Sequence, residues 1–109
     1  MPKEIEVEES SGNVFADLDL PDADELYAKA QIVYRICEIL EERKLTQAKA
    51  AALLEIDQPK ISALMRGKLS GFSTDRLFRF LNALDRDIEI VIKKKPRSRR
   101  RAQVRVLAA

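Results

Sequence analysis

Residues 46–67 read TQAKAAALLEIDQPKISALMRG, and the placement of caps, alanines and apolar residues within this stretch decides the fold. Thr46 is an N-cap candidate, because its side-chain oxygen can accept an amide hydrogen that helix geometry leaves without an intrahelical partner. Ala48, Ala50, Ala51, Ala52, Leu53 and Leu54 follow with high helix propensity and neither proline nor β-branching, which predicts a short helix ending near Leu54. Asp57 can cap a second helix. Pro59 fits its first turn, where the missing amide hydrogen would have had no acceptor, and Gly67 stops it. Ala51 falls where the two helices cross most closely and a larger side chain would push them apart. Leu54, Ile56, Ile61 and Leu64 fall at the inward positions that lock the pair.

Upstream, Leu26, Ala30, Val33, Ile36, Cys37 and Leu40 recur at three- and four-residue steps, which predicts a long helix over about Asp22 to Arg43. Asp24 and Glu25 suit the positive end of its dipole. Downstream, Ser73 caps a further helix with Leu77, Phe80, Leu81 and Leu84 as its buried stripe, terminated by Asp85 and Arg86. The period then changes to two. Ile88, Ile90 and Ile92 alternate with Glu89, Val91 and Lys93, predicting one β-strand with no partner in the chain. An isolated strand leaves a row of backbone donors and acceptors unmatched, so antiparallel pairing with the same strand of a second copy, giving a homodimer, is the expected outcome. The alternative is an arm laid on the helices of its own subunit.

The ends differ in charge. Residues 1–13 carry Glu4, Glu6, Glu8 and Glu9 among serines and glycine, too polar to bury much surface, and are expected to be disordered. Val14, Phe15, Leu18 and Leu20 form a short apolar cluster before Pro21. From Lys93 to Arg105 there are eight basic and no acidic residues, a pattern that suits a nucleic-acid arm, a membrane-surface tether or a solubilising tail. The expected organisation is therefore an acidic N-terminus (1–13), a domain with a C-terminal dimerisation strand (14–92) and a basic tail (93–109).

Composition excludes most chemistry. A chain of 109 residues is the size of one domain, and no apolar run reaches the roughly eighteen residues of a membrane span. No secretory pattern precedes the domain, so a cytoplasmic location without membrane association is expected. Without histidine and with only Cys37, most zinc sites and all Ser-His or Cys-His pairs are ruled out. Cys37 itself reads as a small core residue. The three glycines include no phosphate-cradling spacing, and no group of residues offers an acid, a base and a nucleophile together. No enzymatic activity, cofactor or metal is expected.

With its caps, crossing alanine and locking residues, Thr46 to Gly67 resembles the Cro/repressor-like, or XRE-type, helix-turn-helix family. The resemblance extends over about Ile32 to Leu84. It implies a mainly α, four- to five-helix domain that presents its second short helix to the major groove of double-stranded DNA. The order of a long first helix after Leu20-Pro21-Asp22, the Leu69-Ser70-Gly71-Phe72-Ser73 linker, a further helix and Ile88 to Ile92 looks like the HigA-like antitoxin branch. That branch implies a dimeric repressor of its own operon that pairs with a small basic RNase toxin. Two residues depart from the family pattern. Glu55 stands at the turn position where glycine is usual, which puts a side chain at positive φ, and Asp57 replaces the usual serine or threonine.

Docking geometry then assigns roles, since a helix in the major groove reads bases near its N-terminal end. Gln58 can donate to and accept from adenine, Lys60 can reach guanine or a phosphate, and Ser62 and Ala63 are expected to face outward farther along. Thr46, Gln47 and Lys49 lie where free amides and the helix dipole favour a phosphate, with Arg66, Lys68 and Ser70 on the far side. The competing interpretation is that these are ordinary exposed residues. The function expected is sequence-specific repression at an inverted-repeat operator. The alternative is an interaction module that neutralises a toxin through the acidic N-terminus and the Val14 to Leu20 cluster.

Overall fold

The computed structural model describes residues 23–108, which contain four α-helices: α1 (Ala23–Glu42), α2 (Gln47–Leu54), α3 (Gln58–Met65) and α4 (Thr74–Ala83). The acidic N-terminus and the apolar cluster at Val14 to Leu20 lie outside the described residues. The chain divides into two compact units, one of residues 29–88 and one built from its two ends, up to Ala28 and from Glu89 onward.

In the 29–88 unit the core is aliphatic. Ile36, Ile39, Leu40, Ile61, Leu64, Leu77 and Leu84 are the largest fully buried side chains, and Ala50, Ala51, Leu54 and Phe80 are buried around them. The α1 stripe starts later than the spacing suggested: Ile32, Val33, Ile36, Ile39 and Leu40 are buried, while Leu26, Ala30 and Cys37 are only half-buried. Cys37 is thus a rim residue. Its thiol donates to the carbonyl of Leu64 at 3.8 Å, tying α1 to the end of α3. Burial, followed by the Glu41 carboxylate, pushes the thiol above its ordinary pKa. Among the described residues no buried side-chain nitrogen or oxygen lacks a hydrogen-bond partner.

Three helices start as their sequences dictate. Thr46 Oγ1 accepts from the Lys49 amide at 3.1 Å, Asp57 Oδ1 from Lys60 at 2.9 Å, and Ser73 Oγ from Arg76 at 3.2 Å. All four helices end alike. The residue after the last turn enters the left-handed region and the next amide reaches back five residues: Leu45 to Leu40, Ile56 to Ala51, Lys68 to Ala63 and Arg86 to Leu81. Only α3 uses glycine for this, Gly67 at φ 78°. The others place Lys44 (54°), Glu55 (59°) and Asp85 (63°) there, so the strain expected at Glu55 is present and is shared by two more helix ends.

Phe72 and Phe80 meet edge to face, with centroids 5.9 Å apart, and the Arg76 guanidinium lies over both rings at 5.5 and 5.8 Å. This cluster fixes the 66–73 linker against α4.

The expected strand is not formed. No β-strand occurs among the described residues, and residues 86–96 carry no regular structure. A strand exists through hydrogen bonds to a neighbour, and none is available in a single chain. Ile88 is half-buried, whereas Ile90, Val91 and Ile92 are 72%, 74% and 92% exposed. In the end-built unit, Arg101 pairs with Asp24 of the first turn of α1 at 3.8 Å.

Candidate nucleic-acid interface

The α2–α3 pair forms one locked unit. Ala51 is buried between the helices as its small size requires, with Leu54 and the fully buried Ile61 and Leu64 beside it. Ile56 is half-buried in the turn that sets the angle. These contacts hold α3 as a platform whose opposite side is turned away from Ile61 and Leu64.

Which side chains that platform presents follows from helix geometry at about 100° per residue. With Ile61 and Leu64 inward, Pro59, Ser62, Ala63 and Arg66 lie on the opposite side, at steps of three and four residues. Gln58 lies at one edge of that face, one turn before Ser62, and is exposed. Lys60 lies at the other edge, in line with Leu64, also exposed. Ser62 and Ala63 lie away from Ile61 and Leu64 on this count, but they are half-buried rather than open. Pro59, exposed at the N-terminal end of the face, was absent from the residues the sequence singled out for base contact. The three- and four-residue spacing with Ser62 and Ala63 is the signal that finds it.

The two N-termini of the unit differ electrically. Neither α2 nor α3 has an acidic residue in its first turn, whereas α1 carries Asp24 and Glu25 and α4 carries Asp75. On α2 the cap is the neutral Thr46, and only the Lys49 amide is taken by it. The amides of Gln47 and Ala48 have no intrahelical acceptor and point outward beside the exposed Lys49, an arrangement suited to a phosphate. On α3 the cap is a carboxylate, and Pro59 removes one amide. That end therefore attracts anions poorly and is better suited to base edges.

Beyond α3, Arg66, Lys68 and Ser70 are exposed. Arg66 closes the helix, its amide bonded to the Ser62 and Ala63 carbonyls at 3.1 and 3.2 Å, so the side chain is held at the end of the outward face. The residues expected to contact DNA on α2, α3 and the following linker all belong to one unit, and all but the half-buried Ser62 and Ala63 are exposed. Among the described residues no cluster of histidine, cysteine, aspartate and glutamate could hold a metal ion, and no helix is long and apolar enough to cross a membrane.

A family model for a helix-turn-helix domain matches residues 14–93. No curated protein matches the chain at a significant level. A solved structure whose name assigns it to the XRE family of transcriptional regulators is 53% identical in sequence, with a TM-score of 0.77 over 82% of this chain and 100% of that one. A model match across most of the chain and a structural relative of this identity agree with the capped α2–α3 unit, and the chain belongs to the XRE-type helix-turn-helix family.

Proposed function

We propose that this protein is a sequence-specific repressor that binds double-stranded DNA with α3 in the major groove. The observation that carries the proposal is the outward side of α3. It is held opposite the fully buried Ile61 and Leu64, is bordered by Gln58 and Lys60 and ends at Arg66, with the neutral cap of α2 and Lys49 in the same unit. In this reading Gln58, Ser62 and Ala63 face base edges, while Lys60 stands at the edge where groove and backbone meet. Thr46, Gln47, Lys49, Arg66, Lys68 and Ser70 hold phosphates.

The repressor acts as a homodimer in which Ile88, Ile90 and Ile92 complete a strand only against a second copy. The exposed run at Ile90 to Ile92 supports this, since isolation leaves both its apolar side chains and its backbone without a partner. Two copies related by a two-fold axis read an inverted repeat with half-sites about 34 to 36 Å apart. Selection of binding sites from random duplexes, followed by footprinting, tests this. An inverted repeat protected at that spacing is expected; equal affinity for all duplexes overturns the reading. Ile90→Lys with Ile92→Lys should give monomers in sedimentation and weaken binding to the whole repeat far more than to one half-site.

The order of elements on either side of the α2–α3 unit also supports a place in the antitoxin branch, with a small basic RNase toxin as partner. Co-expression with the product of an adjacent reading frame encoding a small basic protein tests that part. The expected result is relief of growth arrest and a stable complex, lost on removing residues 1–20. Capture that survives the truncation would exclude the acidic N-terminus as the toxin-binding segment.

A further inference from the structure

Up to Arg66 at its C-terminal end, the side of α3 that faces away from the core has little capacity for hydrogen-bonded base recognition. Pro59 and Ala63 offer only hydrocarbon, and Ser62 has a single short hydroxyl that accepts either a donor or an acceptor. Of the long side chains, Gln58 and Lys60 lie at its borders, and Arg66 closes the face at its C-terminal end, where the reading above assigns it to a phosphate. Short side chains at the centre let the helix backbone approach the floor of the groove.

We propose that Pro59 and Ala63 are specificity-determining residues that select thymine through its C5-methyl group. The proposal rests on the DNA-binding reading above and adds the base class that the same face prefers. Thymine is the one base that presents an apolar group in the major groove. Against any other base edge, the Pro59 ring or the Ala63 methyl would cover a donor or acceptor without replacing its hydrogen bond to water, which is unfavourable. Against thymine, the contact buries hydrocarbon on both sides.

The spacing of the two residues matches the rise of DNA. Residues 59 and 63 are four apart, about 6 Å along a helix, which is close to two base-pair steps. Thymines about two steps apart on one strand therefore suit the pair when the helix follows the groove. Gln58 complements them, since its amide matches the donor and acceptor of adenine. The half-site core is accordingly rich in A·T pairs, with orientation fixed by which strand carries the methyl groups.

The test uses the full chain and the operator selected from random duplexes. Each thymine of one half-site is replaced in turn by deoxyuridine, which removes the methyl and nothing else, and affinity is measured by fluorescence anisotropy. Loss of one buried methyl is worth roughly four-fold in binding. We expect that loss at two thymines about two steps apart. The penalty should disappear at one of them for Pro59→Ser and at the other for Ala63→Gly. Because the DNA-side replacement leaves the protein untouched, a poorly folded variant does not obscure the result. Indifference to deoxyuridine throughout the half-site, or a selected half-site without thymine, overturns the proposal while leaving DNA binding intact. Failure to select any sequence overturns both.

Discussion

Replacing Glu55 by glycine should stabilise the protein, although it removes a side chain from the centre of its most constrained motif. Glu55 holds φ 59° and ψ 43° at the end of α2, where its amide bonds back to Ala52 and the next amide to Ala51. A residue with a Cβ loses roughly 1–2 kcal/mol in this conformation. Glycine avoids that strain but forfeits about 0.5–1 kcal/mol of backbone entropy on folding. The net gain is about 0.5–1 kcal/mol, or roughly 2–8 °C in Tm for a unit of this size. Glu55→Ala is the control, because it removes the carboxylate yet keeps the Cβ; it should stay within about 0.5 kcal/mol of the parent. Gly67 gives the reverse test at φ 78°, where an added Cβ would meet no atom within 4 Å. Gly67→Ala therefore measures backbone strain less the entropy that alanine saves in the unfolded chain, and should lose about 0.5–1 kcal/mol. Lys44 and Asp85 occupy the same conformation at other helix ends, so Lys44→Gly and Asp85→Gly should add to the gain nearly independently. Calorimetric unfolding of the set decides the matter. If Glu55→Gly lowers Tm, or Glu55→Ala raises it as much as glycine does, backbone strain is not what distinguishes this turn.

Asp57→Ser keeps the α3 cap while removing a negative charge from the end of α3 proposed to face DNA. At about 7 Å from a phosphate in watery surroundings this should strengthen binding about three-fold on operator and random duplex alike; a gain on operator alone would contradict a purely electrostatic effect. Cys37 should react slowly with thiol reagents in the native state, because burial keeps it protonated beyond its ordinary range. Below the thiol's ordinary pKa the folded and unfolded chains are both protonated and this contribution to stability is complete. As pH rises past that value the unfolded chain ionises first, so stability should fall, a loss that Cys37→Ala should abolish. Truncation after Lys95 removes Arg97, Arg99, Arg100, Arg101 and Arg105. If all five touch phosphates, the salt dependence of binding should flatten by about 4.5 units of slope, and an unchanged slope would assign the tail no part in DNA binding.

The α2–α3 unit was legible in the sequence because local chemistry specifies it completely. Thr46 and Asp57 satisfy amides three residues on, Ala51 must be small, and Gly67 must take positive φ, each a constraint carried by a single residue type. The buried stripe of α1 was legible only in part. Its spacing admits Leu26 and Ala30 equally well, and which end of a long helix is covered depends on where the other helices stop. The segment at Ile88 to Ile92 has the alternation of a strand, but alternation specifies two faces and not the neighbour that turns them into a ladder. Within the site, the residue types were readable and their directions less so. Counting outward from Ile61 and Leu64 moves Lys60 to a border and brings Pro59 onto the face, which becomes visible once the buried side of α3 is known.

The central claim is that α3 reads sequence, and the most direct measurement compares Gln58→Ala with the parent on the selected operator and on random duplex at the same salt concentration. Binding to the operator should weaken by about 1–3 kcal/mol while binding to random duplex is unchanged. An equal loss on both duplexes, or no loss on either, would contradict the assignment of α3 to the major groove.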